Sequence, residues 1–360
     1  MLIVRSPVRI SFGGGGTDLP AYYEKYGGAV LSTAINKFFY TVVGKRFDQC
    51  IQIISSDLRV CERWRDFSSL EIEGTSLEIP VAVLKDLDYE IHADLFLASE
   101  IPPGTGLGSS ASVCVNVLKT LTTYLRMPLS KRDLAERAFR IARNVLHRHV
   151  GKQDEYAAAF GGLNFIEFLP DGATKVEPIL LSPSILAELQ SSLLLFFTGA
   201  AHHSWGILEE QERSTAEGAR KPVEALHEIK AFAYRMRDAL NSGDLRSFAA
   251  MLHESWLAKK RISSKISTSR IDRVYEIAIE NGASGGKITG AGGGGFLLFF
   301  CEPHCQENVR EALTSHGLKE MSFSFDFQGA HVLVNDPFID NDERSASQWT
   351  FLPAGSSHFF

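Results

Sequence analysis

Three clusters of glycine are the residues best placed to do chemistry, and they would do it through their backbone: Gly13 to Gly16, Gly104-Thr105-Gly106-Leu107-Gly108-Ser109-Ser110, and Gly290-Ala291-Gly292-Gly293-Gly294-Gly295. Glycine totals 30 residues in 360, close to ordinary usage, so the clustering carries the signal. A loop without Cβ atoms lets an anion approach and leaves N–H groups free to point at it. The second cluster follows Pro102-Pro103 and opens into Ala111, Cys114, Val117, Leu118, Leu121 and Leu125, which recur at helical spacing. A helix starting at Ser110 or Ala111 adds its N-terminal dipole at the same point, which makes the segment a phosphate cradle. Two common nucleotide loops are excluded by spacing. The P-loop pattern fails at Lys287, where Asn281 stands for the first glycine and Ile288 follows. The dinucleotide pattern from Gly104 fails because Ser109 occupies its sixth position.

The elements that must hold these loops can be read from periodicity. Residues 1 to 12 and 35 to 55 read as strands on either side of the first cluster, and the alternation Ile91, Ala93, Leu95, Leu97 reads as the strand entering the second. Leu134, Ala138, Ile141 and Val145 mark a further helix, Gly151 to Gly162 reads as a linker with a charged centre, and Leu163 to Phe168 as a strand. Lys221 to Leu240 and Leu245 to Trp256 predict two long amphipathic helices, with Asn241-Ser242-Gly243-Asp244 as turn and N-cap. Leu193 to Phe197, Phe296 to Phe300 and the alternation Phe323, Phe325, Phe327 read as strands, as does Phe38-Phe39. A boundary near Pro183 divides the chain into two domains, 1–183 and 184–360, and the polar tail after Pro337 reads as poorly ordered.

Composition excludes several classes. With 37 Lys+Arg against 43 Asp+Glu, the net charge of −6 argues against nucleic acid or an anionic membrane as partner. Hydrophobic residues at 44% supply a sizeable core, and no apolar run approaches the ~18 residues of a membrane span. The N-terminus lacks a signal-peptide pattern, and Cys50, Cys61, Cys114, Cys301 and Cys305 form no repeating framework, so a reducing, cytoplasmic setting is expected. The pair His202-His203 diverges on any regular element, and Cys301-Glu302-Pro303-His304-Cys305 lacks a second ligand pair, so neither reads as a metal site. Lys259-Lys260-Arg261 reads as a solvated helix face, with reach to a substrate phosphate as the alternative.

The segment Pro103-Gly104-Thr105-Gly106-Leu107-Gly108-Ser109-Ser110-Ala111 resembles the signature of the GHMP kinases, the galactokinase, homoserine, mevalonate and phosphomevalonate kinase superfamily. Pro7-Val8-Arg9-Ile10-Ser11-Phe12 with Gly15-Gly16-Thr17-Asp18 resembles its first motif, and Lys287-Ile288-Thr289-Gly290-Ala291-Gly292-Gly293-Gly294-Gly295 its third, in family order. Arg9 to Phe12, Tyr26 to Val30, Gly151-Lys152-Gln153-Asp154 and His253-Glu254-Ser255-Trp256 are similar to the branch that phosphorylates D-glycero-D-manno-heptose 7-phosphate at its anomeric hydroxyl. The resemblance implies an α+β fold, with a left-handed βαβ unit in the N-terminal domain, a ferredoxin-like C-terminal domain and the site between them.

Phosphoryl transfer needs a nucleotide cradle, a divalent metal, positive charge at the transferring group and an oriented hydroxyl. The resemblance assigns ATP and Mg²⁺ as cofactors, with Pro103, Gly104, Thr105, Gly106, Leu107, Gly108, Ser109 and Ser110 around the phosphates and the Ser110 hydroxyl toward the metal. Asp154 matches the acidic residue near the acceptor hydroxyl, as base or orienter, and Arg9 the group stabilising the transferred phosphoryl. Gly15, Gly16, Thr17, Asp18, Thr289, Gly290, Gly292 and Gly293 match the substrate side, Thr17 and Asp18 as sugar-hydroxyl ligands, with an N-cap or Asx-turn as the alternative for Asp18. The expected partner is a small-molecule sugar phosphate, and a homodimer is left open.

Two departures bear on these roles. The metal-binding Glu of many relatives would fall near Ala142 or Arg143, where there is no carboxylate, leaving Ser110, ATP and water, or a substitute such as Glu136 or Glu155. In Thr198-Gly199-Ala200-Ala201-His202-His203-Ser204 the branch usually has Ser and Arg in place of Ala201 and His202. A kinase for another sugar, fucose-like or a natural-product heptose, and a catalytically silent nucleotide- or sugar-binding regulator therefore stay open.

Overall fold

Residues 1–46, 48–199 and 205–336 are described by this computed structural model. The pair His202-His203 and the tail beyond 336 lie outside the described residues. The strands in chain order are β1 (Leu2–Gly13), β2 (Gly28–Lys45), β3 (Ile51–Ser55), β4 (Val60–Trp64), β5 (Ala93–Ser99), β6 (Leu163–Phe168), β7 (Thr174–Pro178), β8 (Leu193–Phe197), β9 (Ala283–Ile288), β10 (Phe296–Cys301), β11 (Lys319–Glu320) and β12 (His331–Asn335). The helices are α1 (Pro20–Tyr26), α2 (Glu78–Leu87), α3 (Ser109–Tyr124), α4 (Lys131–Arg140), α5 (Gln153–Phe160), α6 (Pro183–Ser191), α7 (Trp205–Ala216), α8 (Arg220–Ser242), α9 (Leu245–Lys260), α10 (Ser269–Glu280) and α11 (Gln306–Ser315).

The first sheet runs β12-β1-β2-β5-β3-β4, with β6 and then β7 branching from β2. Its long antiparallel β1–β2 pairing buries both strands almost throughout, which explains their nearly continuous apolar character. The parallel pairing of β3 with β5 needs a crossover, and α2 supplies it. The second sheet is antiparallel in the order β11-β8-β10-β9, so the chain path β8, helices, β9, β10, α11, β11 is the βαββαβ plan of a ferredoxin-like unit. One apolar cluster joins Phe12 and Leu31 of the first sheet to Phe196 and Phe299 of the second and to Phe248 of α9, so the two layers share a core. The expected α+β architecture of the GHMP kinases is present.

Local chemistry sets the helix ends. Gly108 caps α3 in the left-handed conformation at φ 76°, which glycine adopts without Cβ strain. Gly243 closes α8 in the same way, and the Asp244 carboxylate accepts from Ser247 N–H at 2.9 Å to start α9, as the turn residues predict.

Three expectations need correction. The stretch 151–162 is no linker: its centre is α5, a short helix bracketed by glycines. Phe323, Phe325 and Phe327 do not form a strand; Phe325 makes one isolated bridge to Ile35, while Phe327 is 55% exposed. The chain here is crossing from β11 back to the first sheet, which it meets through the pair Asn36 N–H to Ser324 O and Asp326 N–H to Ala34 O before continuing to β12. Finally, β2 begins at Gly28, and α1 occupies the stretch before it, with Pro20 at the helix start. Beyond the proposed boundary at 183/184, β12 lies on the outer edge of the first sheet against β1.

Candidate active site

Arg9 is where the three glycine-bearing motifs meet. Its Nε and one terminal nitrogen donate to the two carboxylate oxygens of Asp154 at 2.7 and 2.8 Å, a fork geometry that fixes both side chains. Its other terminal nitrogen donates to Gly106 O at 2.8 Å and Thr289 O at 3.4 Å, and its backbone N–H donates to Leu107 O at 2.9 Å. One buried guanidinium thus holds β1, the loop before α3, the loop after β9 and the start of α5 together.

These elements wall a cavity of about 400 Å³. Pro103, Gly104, Gly106, Gly108, Ser109 and Ser110 line it, and the α3 first-turn N–H groups lack intrahelical acceptors. Gly15, Gly16, Asp18, Thr289, Gly290, Arg9 and Asp154 line it as well. Five named residues do not. Thr17 is buried behind the wall, its hydroxyl donating to Gly14 O and Ala29 O and accepting from Ala29 N–H, so it shapes the loop. Thr105 and Leu107 are buried too, the first donating to Pro102 O and the second lending its carbonyl to Arg9. Gly292 and Gly293 back against Ile266: a Cβ on Gly292 would stand 2.7 Å from Ile266 backbone, and Gly293 N–H donates to Ile266 O.

Asp18 combines both readings made of it. Its carboxylate accepts from Gly16 N–H at 2.8 Å and Gln153 N–H at 3.2 Å, capping α5 across the chain, yet it also faces the cavity. Gly151 permits this packing, since a Cβ there would fall 2.0 Å from Asp18 Oδ2. Burial, then the nearby Asp154 charge, pushes the Asp18 carboxyl up against the pull of those N–H groups.

Sequence reasoning missed Lys259. The run 259–261 divides: Lys260 pairs with Asp272 at 2.9 Å and Arg261 with Glu228 on the surface, but Lys259 is buried in the cavity wall with Nζ donating to Gly290 O at 2.6 Å. Burial and then the Arg9 charge lower its ammonium from the ordinary 10.5 to about 8. The signal was present, because Lys259 continues the buried stripe Phe248, Leu252, Trp256 at helical spacing. Lys287, behind it, donates to Phe12 O and is pushed well below an ordinary lysine by burial, then by Lys259. Leu208 and Gln211 of α7 also close the cavity, a contribution with no local motif.

Among the described residues, the cavity-lining Ser11 Oγ, Gln153 Oε1 and Glu155 Oε2 are buried without a hydrogen-bond partner. Such atoms are costly unless a ligand satisfies them, so the cavity is built for a polar guest. Of the substitute acids, Glu136 is engaged by Lys152, Tyr156 and Thr174 and lies outside the lining, whereas Glu155 is inside it. Oxygen donors such as Ser110 and Glu155 suit a hard divalent cation. Among the described residues no three His, Cys, Asp or Glu side chains are arranged to hold a metal by themselves, so ligand phosphates would have to complete its shell.

Comparison with known proteins bears on the fold and the family. The family description "GHMP kinases N terminal domain" matches residues 78–162, and "GHMP kinases C terminal" matches 236–319. The chain is 34% identical over 333 residues to the D-glycero-alpha-D-manno-heptose 7-phosphate kinase of Campylobacter jejuni, covering 90% of this chain and 96% of that one. A crystal structure titled as a D-glycero-D-manno-heptose 1-phosphate kinase from Bacteroides thetaiotaomicron superposes with a TM-score of 0.79 at 31% identity, covering 94% of this chain and all, 100%, of that one. An L-fucokinase/L-fucose-1-P guanylyltransferase of Bacteroides fragilis is 25% identical over 87% of this chain, which spans 36% of that longer protein.

Proposed function

Because the chain belongs to the GHMP kinases, a family of ATP-dependent kinases, we propose that it transfers the γ-phosphoryl group of ATP to the anomeric hydroxyl of D-glycero-D-manno-heptose 7-phosphate, giving the 1,7-bisphosphate and ADP. The observation that carries the reading is the Arg9 hub, which joins the three motif loops to Asp154 inside one cavity. The heptose phosphate rests on the two heptose kinases, which match nearly the whole chain.

In this reading Gly104, Gly106 and Gly108 let the phosphates approach the backbone, and the open N–H groups of Ser109 and Ser110 receive their charge. The Ser110 hydroxyl would help to hold Mg²⁺, which when bound would neutralise charge developing on the phosphates. Asp154 accepts the hydrogen bond of the sugar hydroxyl and orients its oxygen toward the γ-phosphorus. As that oxygen forms its bond to phosphorus, the bond to the bridging β,γ-oxygen breaks, ADP leaves with the electron pair, and the hydroxyl proton passes to Asp154. A loose transition state asks more for positioning than for a strong base, and the Arg9 fork supplies it. The Arg9 guanidinium lies between Asp154 and the cradle, where the moving phosphoryl carries most negative charge. Gly15, Gly16 and Asp18 face the sugar, and Thr289 and Gly290 close the cavity opposite Gly106.

ATP as donor and five unpaired cysteines are what a reducing, cytoplasmic setting requires. Among the described residues no helix is long and apolar enough to cross a membrane. The test is ADP release with MgATP against the heptose 7-phosphate, its unphosphorylated sugar, fucose, galactose and mevalonate. Turnover with the 7-phosphate alone is expected. Turnover with another sugar moves the acceptor, and silence with ATP still bound favours a regulator.

A further inference from the structure

Five carboxylates line the cavity: Asp18, Asp57, Glu78, Asp154 and Glu155. Four have partners that define their work. Both oxygens of Asp154 are on the Arg9 fork, and both of Asp18 are on N–H groups of Gly16 and Gln153. Glu78 pairs with Arg148, and Asp57 accepts from the Ser55 hydroxyl at 2.8 Å. Glu155 differs. It is 2% exposed, it sits in the first turn of α5 beside Asp154, and its Oε2 is buried without a partner among the described residues. An unpartnered carboxylate oxygen in a cavity wall is an expensive feature for a fold to keep unless a ligand meets it. Ser110, at the start of α3, lines the same cavity.

We propose that Glu155 is the protein's carboxylate ligand for the divalent cation that accompanies the nucleotide. The assignment rests on the kinase reading above and extends it to a residue with no counterpart in the phosphate-binding loops. One carboxylate, one hydroxyl and nucleotide phosphates make a donor set that suits Mg²⁺, which keeps several waters and takes few protein ligands. This division of labour leaves Asp154 to the acceptor and Glu155 to the metal, although the two are adjacent in sequence. They leave the first turn of α5 in different directions: one meets Arg9 and is 26% exposed, and the other is enclosed.

The test is Mn²⁺ binding followed by electron paramagnetic resonance, with a non-hydrolysable ATP analogue present, on the full chain and on Glu155→Gln. The Gln variant keeps the shape and removes the charge. Its Kd for Mn²⁺ is expected to rise at least about tenfold, while its affinity for the analogue without metal stays within about twofold of the parent. Glu155→Asp keeps the charge, shifts the Kd in the same direction by less, and serves if the Gln variant does not fold. Unchanged Mn²⁺ affinity in either variant, with the analogue bound, overturns the Glu155 assignment alone. Failure of the parent protein to bind the analogue at all overturns the kinase reading and this site together.

Discussion

The loop before α3 and the loop after β9 are both runs of glycine, yet they use it for different ends. In the first, Gly104, Gly106 and Gly108 all have positive φ, at 75°, 80° and 76°, and all face the cavity. In the second, only Gly290 among the glycines faces it; a Cβ on Gly292 would strike Ile266, and one on Gly295 would come within 2.3 Å of Thr105 O. The first loop is bare so that a ligand can come close, and the second so that protein backbone can. The contact between them is glycine on glycine, since a Cβ on Gly290 would lie 2.6 Å from Gly106 Cα.

The contrast is sharpest where binding and chemistry separate. Asp154→Asn, next to the first loop but not part of it, is expected to lower turnover roughly 10²-fold or more while nucleotide affinity stays near parental, as loss of an acid–base or orienting group does. Steady-state kinetics beside calorimetric ATP binding measures both, and unchanged turnover removes Asp154 from the reaction. Gly106→Val should cost at least about tenfold in ATP affinity, because its side chain enters both the phosphate approach and the 3.2 Å gap to Gly290 at a φ that valine resists. Gly292→Ala should lower Tm by about 1–4 °C, for a local strain of ~1–3 kcal/mol, yet leave the affinity of the folded protein within about threefold. If the two glycine variants lose nucleotide binding equally, the division between the loops is wrong.

The smallest effect concerns the bond that ties α9 to the second loop. With Lys259 at about 8, its charge fades as pH rises through that value, so turnover at pH 9 should be about tenfold below that at pH 7 if its charge meets phosphate. Lys259→Arg, charged throughout, should flatten that limb of the pH profile. For stability the sign is opposite. The folded state releases its proton near 8 and the unfolded state near 10.5, so the native protein holds fewer protons between them, and this group favours folding progressively as pH rises through that window.

Much of this architecture was legible because its signals are local. The cradle, the α3 start and the α8–α9 turn each lie within a few residues of sequence, and Gly108, Gly243 and Asp244 do what their types suggest. Helix α5 was not, because eight residues between glycines, rich in alanine, carry almost no amphipathic period. Lys259 was obscured by its neighbours Lys260 and Arg261, which are on the surface. Thr17, Thr105, Gly292 and Gly293 show the opposite problem: a motif places them near the site but cannot tell a wall from a lining. That distinction depends on partners far away in sequence, such as Ala29 for Thr17 and Ile266 for Gly292.

The pairing of β12 with β1, in which Leu2 faces Asn335, has a consequence for how the chain comes off the ribosome. The strand that carries Arg9 is made well before β12, and one of its edges has no neighbour until residues 331–335 follow. During synthesis that edge is an open template for unwanted strand addition. The strand of Arg9 is therefore sealed late, and a nascent chain stalled before residue 331 should need chaperone cover that the finished protein does not.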